Sequence, residues 1–467
     1  MYMNNAIKFR LIVMNILQWA AWGAYLTSMG SYLVSIGLGA KIGIFYAMQG
    51  VVSIFMPTIM GIIADKWIPA QRLLGICHGI SAAAMAAAGL YGMTAGDNIS
   101  FSILFSLYTL SVAFYMPTIA LSNSVAFKIL EQNRMDTVKA FPPIRVFGTI
   151  GFIGAMLFVN FMSINGVQFQ NSYNQFLTSS VISAAMFLYC FTLPKCPCSS
   201  VRSGKVSISE RFGLNAFSLF KNRNMATFFI FSMLLGVALQ ITNSFANPFI
   251  SHFKVIPEFM GSWGSENANA LISISQISET LCILLIPLAM KWFGIKKVML
   301  FAMFGWVLRF GLFGAGNTGP GVWMLILSMI VYGIAFDFFN ISGALYTNMR
   351  TSDKMQNSAQ GLFMLMTNGI GATVGTLSAQ AIVNALTHRA QYVFDTVTGT
   401  YTQATEFFAQ TGLTEQSFEL MSQYRLDTFM LGDWSTVWYI FAGYALLVAV
   451  AFMAFFKQPA NPNEKVA

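Results

Sequence analysis

Four ionisable residues stand inside stretches of sequence otherwise built from apolar side chains. They are Arg145 in "FPPIRVFGTIGF", Glu279 in "SISQISET", Arg309 in "MFGWVLRFGLF" and Asp337 in "VYGIAFDFFNISG". Three of them have polar company at helical spacing. Arg145 and Thr149 are four apart, Gln276 and Glu279 three, and Asp337 and Asn340 three; Gln240 and Asn243 in "LQITN" repeat the pattern without a charge. Residues so spaced share one face of a helix. Four helices each with a polar face would line a cavity of amides, a hydroxyl, carboxylates and a guanidinium. Aromatic rings stand beside them at Phe147, Phe152, Tyr332, Phe336 and Phe339, of which Phe152 and Phe336 neighbour the polar faces most directly. That chemistry suits a flat ring joined to a polyhydroxyl group. A carboxylate in a medium of low dielectric is favoured in its neutral form, so it can take up and release a proton as its surroundings change. Asp337 is the first choice for that role and Glu279 the second. No nucleophile–base pair stands out, and no phosphate-binding loop is present, so neither enzyme chemistry nor ATP as a driving force is expected.

The elements that must position these groups are membrane helices. The chain has 467 residues, 56% hydrophobic and only 9% charged, with a mean hydropathy of +0.62. A soluble protein of this length needs far more charge to cover its surface. Apolar windows long enough to cross a bilayer fall at about 11–34, 42–64, 73–93, 100–127, 145–164, 175–193, 224–250, 268–290, 298–316, 321–347, 357–386 and 434–456. An all-α integral membrane protein of twelve spans is expected. Ionisable residues at membrane depth are expensive, and they turn inward to the bundle or a water-filled cavity. Arg309 has two readings, a structural partner for Asp337 or Glu279 and a substrate contact; Gln240 and Asn243 could also act as glue between helices.

Charge sets the orientation. With the N-terminus inside, 21 of the 26 lysines and arginines fall on the cytoplasmic side, as positive loops favour. Both termini are then cytoplasmic, in a multi-pass membrane protein. The formal charge of +9 is spread over short loops and forms no continuous patch, so nucleic acid is not an expected partner. The five cysteines, including Cys196 and Cys198 in a Cys-Pro-Cys, have no neighbouring histidines and read as free thiols, with no metal expected.

Residues 194–223 interrupt the apolar pattern with prolines and basic residues and divide the spans six and six. This linker separates an N-terminal bundle, 1–193, from a C-terminal bundle, 224–467. Its stretch "SISERFGLNAFSLFKNR" reads either as an amphipathic helix on the membrane surface, with Ser207 and Glu210 at capping-box spacing, or as a tether with some helix. A weak echo of "GIIADKWIPAQR" after the second span in "MKWFGIKKV" after the eighth suggests duplicated halves. The first of these resembles the loop signature of the major facilitator superfamily, with Gly61, Asp65, Lys66 and Arg72 in place and the second glycine replaced around Ile68-Pro69. Asp65 and Arg72 are expected to serve structure or gating.

The longest resemblance is to the nucleoside:proton symporter family of that superfamily. It is carried by "FPPIRVFGTIGF", "FFIFSMLLGVALQITN", "SISQISET", "LSMIVYGIAFDFFNISG", "AQGLFMLMTNGIG" and "DWSTVWYIFAGY", and covers nearly the whole chain. It implies proton-driven uptake of nucleosides across the bacterial inner membrane; alternating access in a monomer, without a cofactor, is expected. Carried over by position, it implies substrate contacts from Arg145, Thr149, Phe152, Gln240, Asn243, Gln276, Glu279, Tyr332, Phe336 and Asp337. Other readings are a proton symporter of another hydroxylated solute, such as a sugar, and a membrane receptor that uses the same pocket without transport. One stretch departs from the family. Residues 388–433, between the last two spans, are longer than the resemblance implies and lean acidic, with room for a helix or two in "TEFFAQTGLTEQSFELMSQYRLD"; a lid, an interaction site and an inert insertion are the readings, the last favoured.

Overall fold

The protein is described here by a computed structural model covering residues 2–96, 98–196, 198, 214–351, 355–413, 418 and 421–457. Helices lie over all twelve apolar windows. The first window is broken into α1 (Tyr2–Gly23) and α2 (Met29–Ser35). There follow α3 (Ile42–Lys66), α4 (Ala70–Ala95), α5 (Phe101–Gln132), α6 (Thr137–Phe161), α7 (Asn174–Cys190) and α8 (Arg223–Ser251). Next come α9 (Ala268–Ala315), α10 (Val322–Arg350), α11 (Gln356–Met364) and α12 (Ala372–Leu386), the last two joined by a π-helical segment, Leu365–Gly371. After α13 (Ala404–Thr411), α14 (Trp434–Phe455) closes the described fold. Among the described residues, nine helices are long and apolar enough to cross a membrane. One of them, α9, carries two of the expected windows: Gly294 sits between its arms at φ 74°, a backbone conformation that glycine adopts readily. The helices over the first and sixth windows, α1 and α7, fall outside those nine.

Lipid offers no hydrogen bonds, so backbone groups must be satisfied within the protein. The helix ends meet this need with side chains. Asn222 accepts from the amides of Asn224 and Met225 at the start of α8, and Asp433 accepts from Thr436 at the start of α14. Between helices, small residues let backbones approach, as is common in membrane bundles. Gly151 of α6 lies against the backbone of Ile16 in α1, and Gly375 of α12 against that of Val237 in α8. Gly333 of α10 meets α9 the same way: a β-carbon there would stand 2.6 Å from the Ser278 carbonyl oxygen and 2.7 Å from the Cys282 sulfur. These contacts fix α6 on α1 and α10 on α9, the pairs that carry most of the ionisable residues.

Two features differ from the sequence reading. The end of the fifth window is a hairpin, β1 (Ser163–Ile164) with β2 (Val167–Gln168), turned at Asn165-Gly166 with both residues at positive φ. Asn-Gly is the strongest short-range sign of such a turn. The insertion after α12 is largely sheet rather than only helical. Its strands β3 (Thr387–Asp395), β4 (Thr400–Gln403) and β5 (Tyr424–Gly432) form an antiparallel sheet in the order β4-β3-β5. The register begins at Thr387 opposite Gly432, where α12 ends and α14 is about to start. Two neighbouring helix ends thus continue directly into paired strands. A small apolar cluster, Val393, Ala404, Phe407 and Phe418, seats α13 on the sheet.

Of the linker, Leu214–Lys221 is a 3-10 helix, while Ser207 and Glu210 lie outside the described residues. Cys196 is a buried free thiol that burial pushes up to about 11, and its backbone amide donates to Gln71 at 2.8 Å.

Gly333→Ala tests the close approach of α9 and α10. The added methyl meets backbone, so the helices must separate, at about 1–3 kcal/mol. A lowered melting temperature in detergent is expected; an unchanged one would show that the pair is not pinned at this point.

Candidate substrate site

Arg145 is a cation whose charge reaches the membrane carboxylates. It lies half-buried on α6 with its guanidinium carbon 3.8 Å from the centre of the Trp19 ring on α1. A guanidinium over an indole face is an attractive cation–π pair. Its charge acts on Glu279 of α9 and on Asp337 of α10, and the two carboxylates act on each other. One residue from the first half of the chain and two from the second therefore share an electrostatic site. Like charges in a low dielectric disfavour double ionisation, and a nearby cation favours it. Asp337 is buried, and among the described residues its Oδ2 has no hydrogen-bond partner.

Aromatic residues complete that group. Tyr332 and Phe336 are stacked at 5.4 Å and 18° on the turn of α10 before Asp337, and the charges of Glu279 and Asp337 reach Tyr332 as well. Phe152 is buried edge-on to Trp22, with ring centres 6.3 Å apart. Thr149 and Gln276 are half-buried on α6 and α9. On α8 the Asn243 amide donates to Gln240 Oε1 at 2.9 Å, which leaves the Gln240 amide N–H groups and the Asn243 carbonyl for other partners. Phe147 is exposed on the outside of α6.

Arg309 stands apart from the carboxylates. It is buried on the second arm of α9, where its guanidinium donates to the Ser328 carbonyl at 2.8 Å and to Ser275 Oγ at 3.4 Å. It also lies over the ring of Tyr332 at 4.5 Å. Tyr332 thus has Arg309 over its ring and the charges of Glu279 and Asp337 within reach. Arg72 is exposed, and the side chain of Asp65 lies outside the described residues.

Sequence spacing missed two buried polar networks. In the first, Gln18 of α1 donates to Thr118 of α5 at 2.7 Å and bonds His78 of α4 at 2.8 Å, tying three helices of the first half together. The second joins the two halves at one end of the molecule. Thr27 donates to Asn269 Oδ1 at 2.9 Å, and Ser31 to Asn247 Oδ1 at 2.6 Å. Asn247 donates to Asn269 Oδ1 at 2.9 Å, and Asn160 donates to Asn267 Oδ1 at 2.8 Å. Nearby, Gln380 Oε1 accepts from the backbone amide of Gly43 at 2.6 Å. The partners are single amides and hydroxyls on different elements, so no i, i+3 pattern marks them. Trp19 and Trp22 were also missed as partners of the site, though they stand three apart on one face of α1.

The sequence profile of the family described as Nucleoside H+ symporter matches residues 5–461. The Nucleoside permease NupG of Escherichia coli (strain K12) is 40% identical over 454 residues, covering 97% of this chain and 96% of that protein. The Xanthosine permease of the same organism is 40% identical over 463 residues, covering 98% of each. The crystal structure of the nucleoside transporter NupG superposes with a TM-score of 0.78 at 39% identity, over 97% of this chain and 100% of that one. A D-xylose-proton symporter superposes with a TM-score of 0.62 at 12% identity, over 99% and 100%, which is a likeness of fold alone. The chain belongs to the nucleoside H+ symporter family, a family of multi-pass membrane transporters rather than enzymes, and has the fold of the major facilitator superfamily.

The Arg309 geometry generates a test. Lysine cannot reproduce the bond to the Ser328 carbonyl together with the contact to the Tyr332 face. Arg309→Lys is expected to lower thermal stability by about 1–3 kcal/mol while the folded fraction keeps close to its original affinity for nucleoside. Loss of affinity without loss of stability, read by calorimetry and melting, would place Arg309 in the substrate site instead.

Proposed function

From that membership and this site we propose that the chain carries nucleosides into the cell together with protons. The single observation that carries the reading is Asp337. It is a buried carboxylate with an oxygen unpartnered among the described residues, within electrostatic reach of Glu279 and of Arg145 from the other half of the chain. Such a group is expensive at membrane depth, and where one is kept it marks a substrate or proton pathway. Asp337 takes the proton. Glu279, Gln276, Gln240 and Asn243 hydrogen-bond the ribose and the base, and Phe152 and Phe336 flank the base. Arg145 and Thr149 contact the nucleoside from α6, and Tyr332 from α10.

Transport proceeds by alternating access, as the halves 1–193 and 224–467 rock about the site on the tether 194–223. The bias of lysine and arginine supports a cytoplasmic position for both termini. The end where Thr27, Ser31, Asn247 and Asn269 meet is then the outer one, and the amide network there is an outer gate in its closed state.

Uptake of labelled uridine into proteoliposomes, with and without an imposed inward proton gradient, tests this function directly. Accumulation only with the gradient is expected; equal uptake without it would remove the proton. Asp337→Asn is expected to abolish accumulation while leaving binding or exchange, and normal accumulation by that variant would exclude Asp337 as the coupling group. Gln276→Ala removes one hydrogen bond of about 1 kcal/mol, so uridine should bind roughly fivefold more weakly. Unchanged affinity would take Gln276 out of the site.

A further inference from the structure

The sheet after α12 roofs a cavity of about 470 Å³ that none of the central residues lines. Both halves of the chain supply its walls. Ser31, Ser35 and Ser163 come from the first half, and Ser251, Lys254 and Glu266 from the second. Its floor is the seam between the halves, since Ser31 and Ser251 both donate to Asn247 Oδ1, at 2.6 and 3.1 Å. A solute that moves along the seam from this end crosses the cavity before it meets the amide network.

The lining has a definite chemistry. On the sheet, the rings of Phe394 and Tyr401 lie 4.7 Å apart, and Phe429 stands edge-on to Tyr401 at 5.4 Å. The two charge pairs cancel. Arg425 makes two bonds to Asp427, of 2.8 and 2.7 Å, and Lys254 lies 3.1 Å from Glu266. Burial acts against the Arg425 charge, but Asp427 outweighs it and holds the guanidinium above its ordinary range. The cavity therefore offers aromatic faces, hydroxyls and amides with no spare positive charge for a phosphate. Its volume falls in the range of small-molecule pockets, about 300–1,000 Å³.

We propose that this cavity is an outer waiting site for an uncharged nucleoside, separate from the central site, with the base against the rings of the sheet and the ribose among the hydroxyls and Glu266. The inference rests on the nucleoside reading above. Two bonds from the insertion to the first half govern access. Arg425 donates to the Gly166 carbonyl at 3.0 Å, and Arg389 to the Gly37 carbonyl at 3.2 Å. Both span the seam, so opening the outer end releases roof and floor together and passes the nucleoside inward.

Ser163 is exposed at the cavity wall, which makes Ser163→Cys a reporter. The introduced thiol is labelled with a membrane-impermeant maleimide in right-side-out vesicles, against the parent protein as control. Uridine is expected to slow labelling severalfold and uridine monophosphate to leave it unchanged. The protection should survive Gln276→Ala, which weakens the central site, and should vanish with Phe394→Leu. If Phe394→Leu alters labelling before uridine is added, Glu266→Gln carries the same comparison with the rings intact. Three results overturn the proposal: no protection, protection lost with Gln276→Ala, or protection kept when the cavity side chains are changed. Uridine uptake by the same protein separates the two readings. Uptake without protection removes only the waiting site, whereas absent uptake removes the nucleoside function itself.

Discussion

The structure is organised around one electrostatic requirement: Arg145 in the first half of the chain must be matched by Glu279 and Asp337 in the second. An unpaired guanidinium or carboxylate at membrane depth is expensive. Here the compensation runs between α6, α9 and α10 rather than along one helix. The neighbouring packing serves that arrangement. Gly151 brings α6 onto α1 and Gly148 leaves room for Trp19 under the guanidinium, while Gly333 brings α10 onto α9, whose carboxylates lie within reach of each other's charge. Arg309, bound to Ser328 and facing Tyr332, braces the second arm of α9 against α10 without joining the charge balance.

Much of this was legible in the sequence, for physical reasons. A charge in an apolar run has few tolerable positions, so Arg145, Glu279 and Asp337 declared themselves by being there at all. Apolar windows gave the helices because a span has a minimum length. What spacing could not show is which elements meet. The contact between Ser31 and Asn247 depends on two helices far apart in sequence, and neither residue is unusual in its own segment. Arg309 shows the same limit. Sequence offers it any carboxylate at similar depth, whereas the bend at Gly294 and the packing of α9 on α10 hand it a backbone carbonyl.

The external sheet was hidden for a different reason. "THRAQYVFD" and "YRLDTFMLG" are short strands with mixed faces, and each is weak alone. They pair because α12 and α14 deliver their ends side by side, so Thr387 faces Gly432 from the first residue. Tertiary placement of two helices decides the structure of the segment between them, and helical propensity in "TEFFAQT" survives only as α13.

The placement of charge also limits how a proton can be coupled to movement. With both carboxylates ionised, the set of Arg145, Glu279 and Asp337 carries one net negative charge; with one proton it is neutral; with two it is positive. In the proposed rocking motion, the three groups stay at the pivot while the amide network at the proposed outer end opens and closes. The neutral combination is the least costly to hold in a low dielectric, so one proton on the pair favours passage between the two orientations. Assigning that proton to Asp337 leaves Glu279 ionised beside Arg145, free to accept hydrogen bonds from ribose hydroxyls. The division of labour between two carboxylates then follows from their shared cation, because only one of them needs a proton for the set to be neutral.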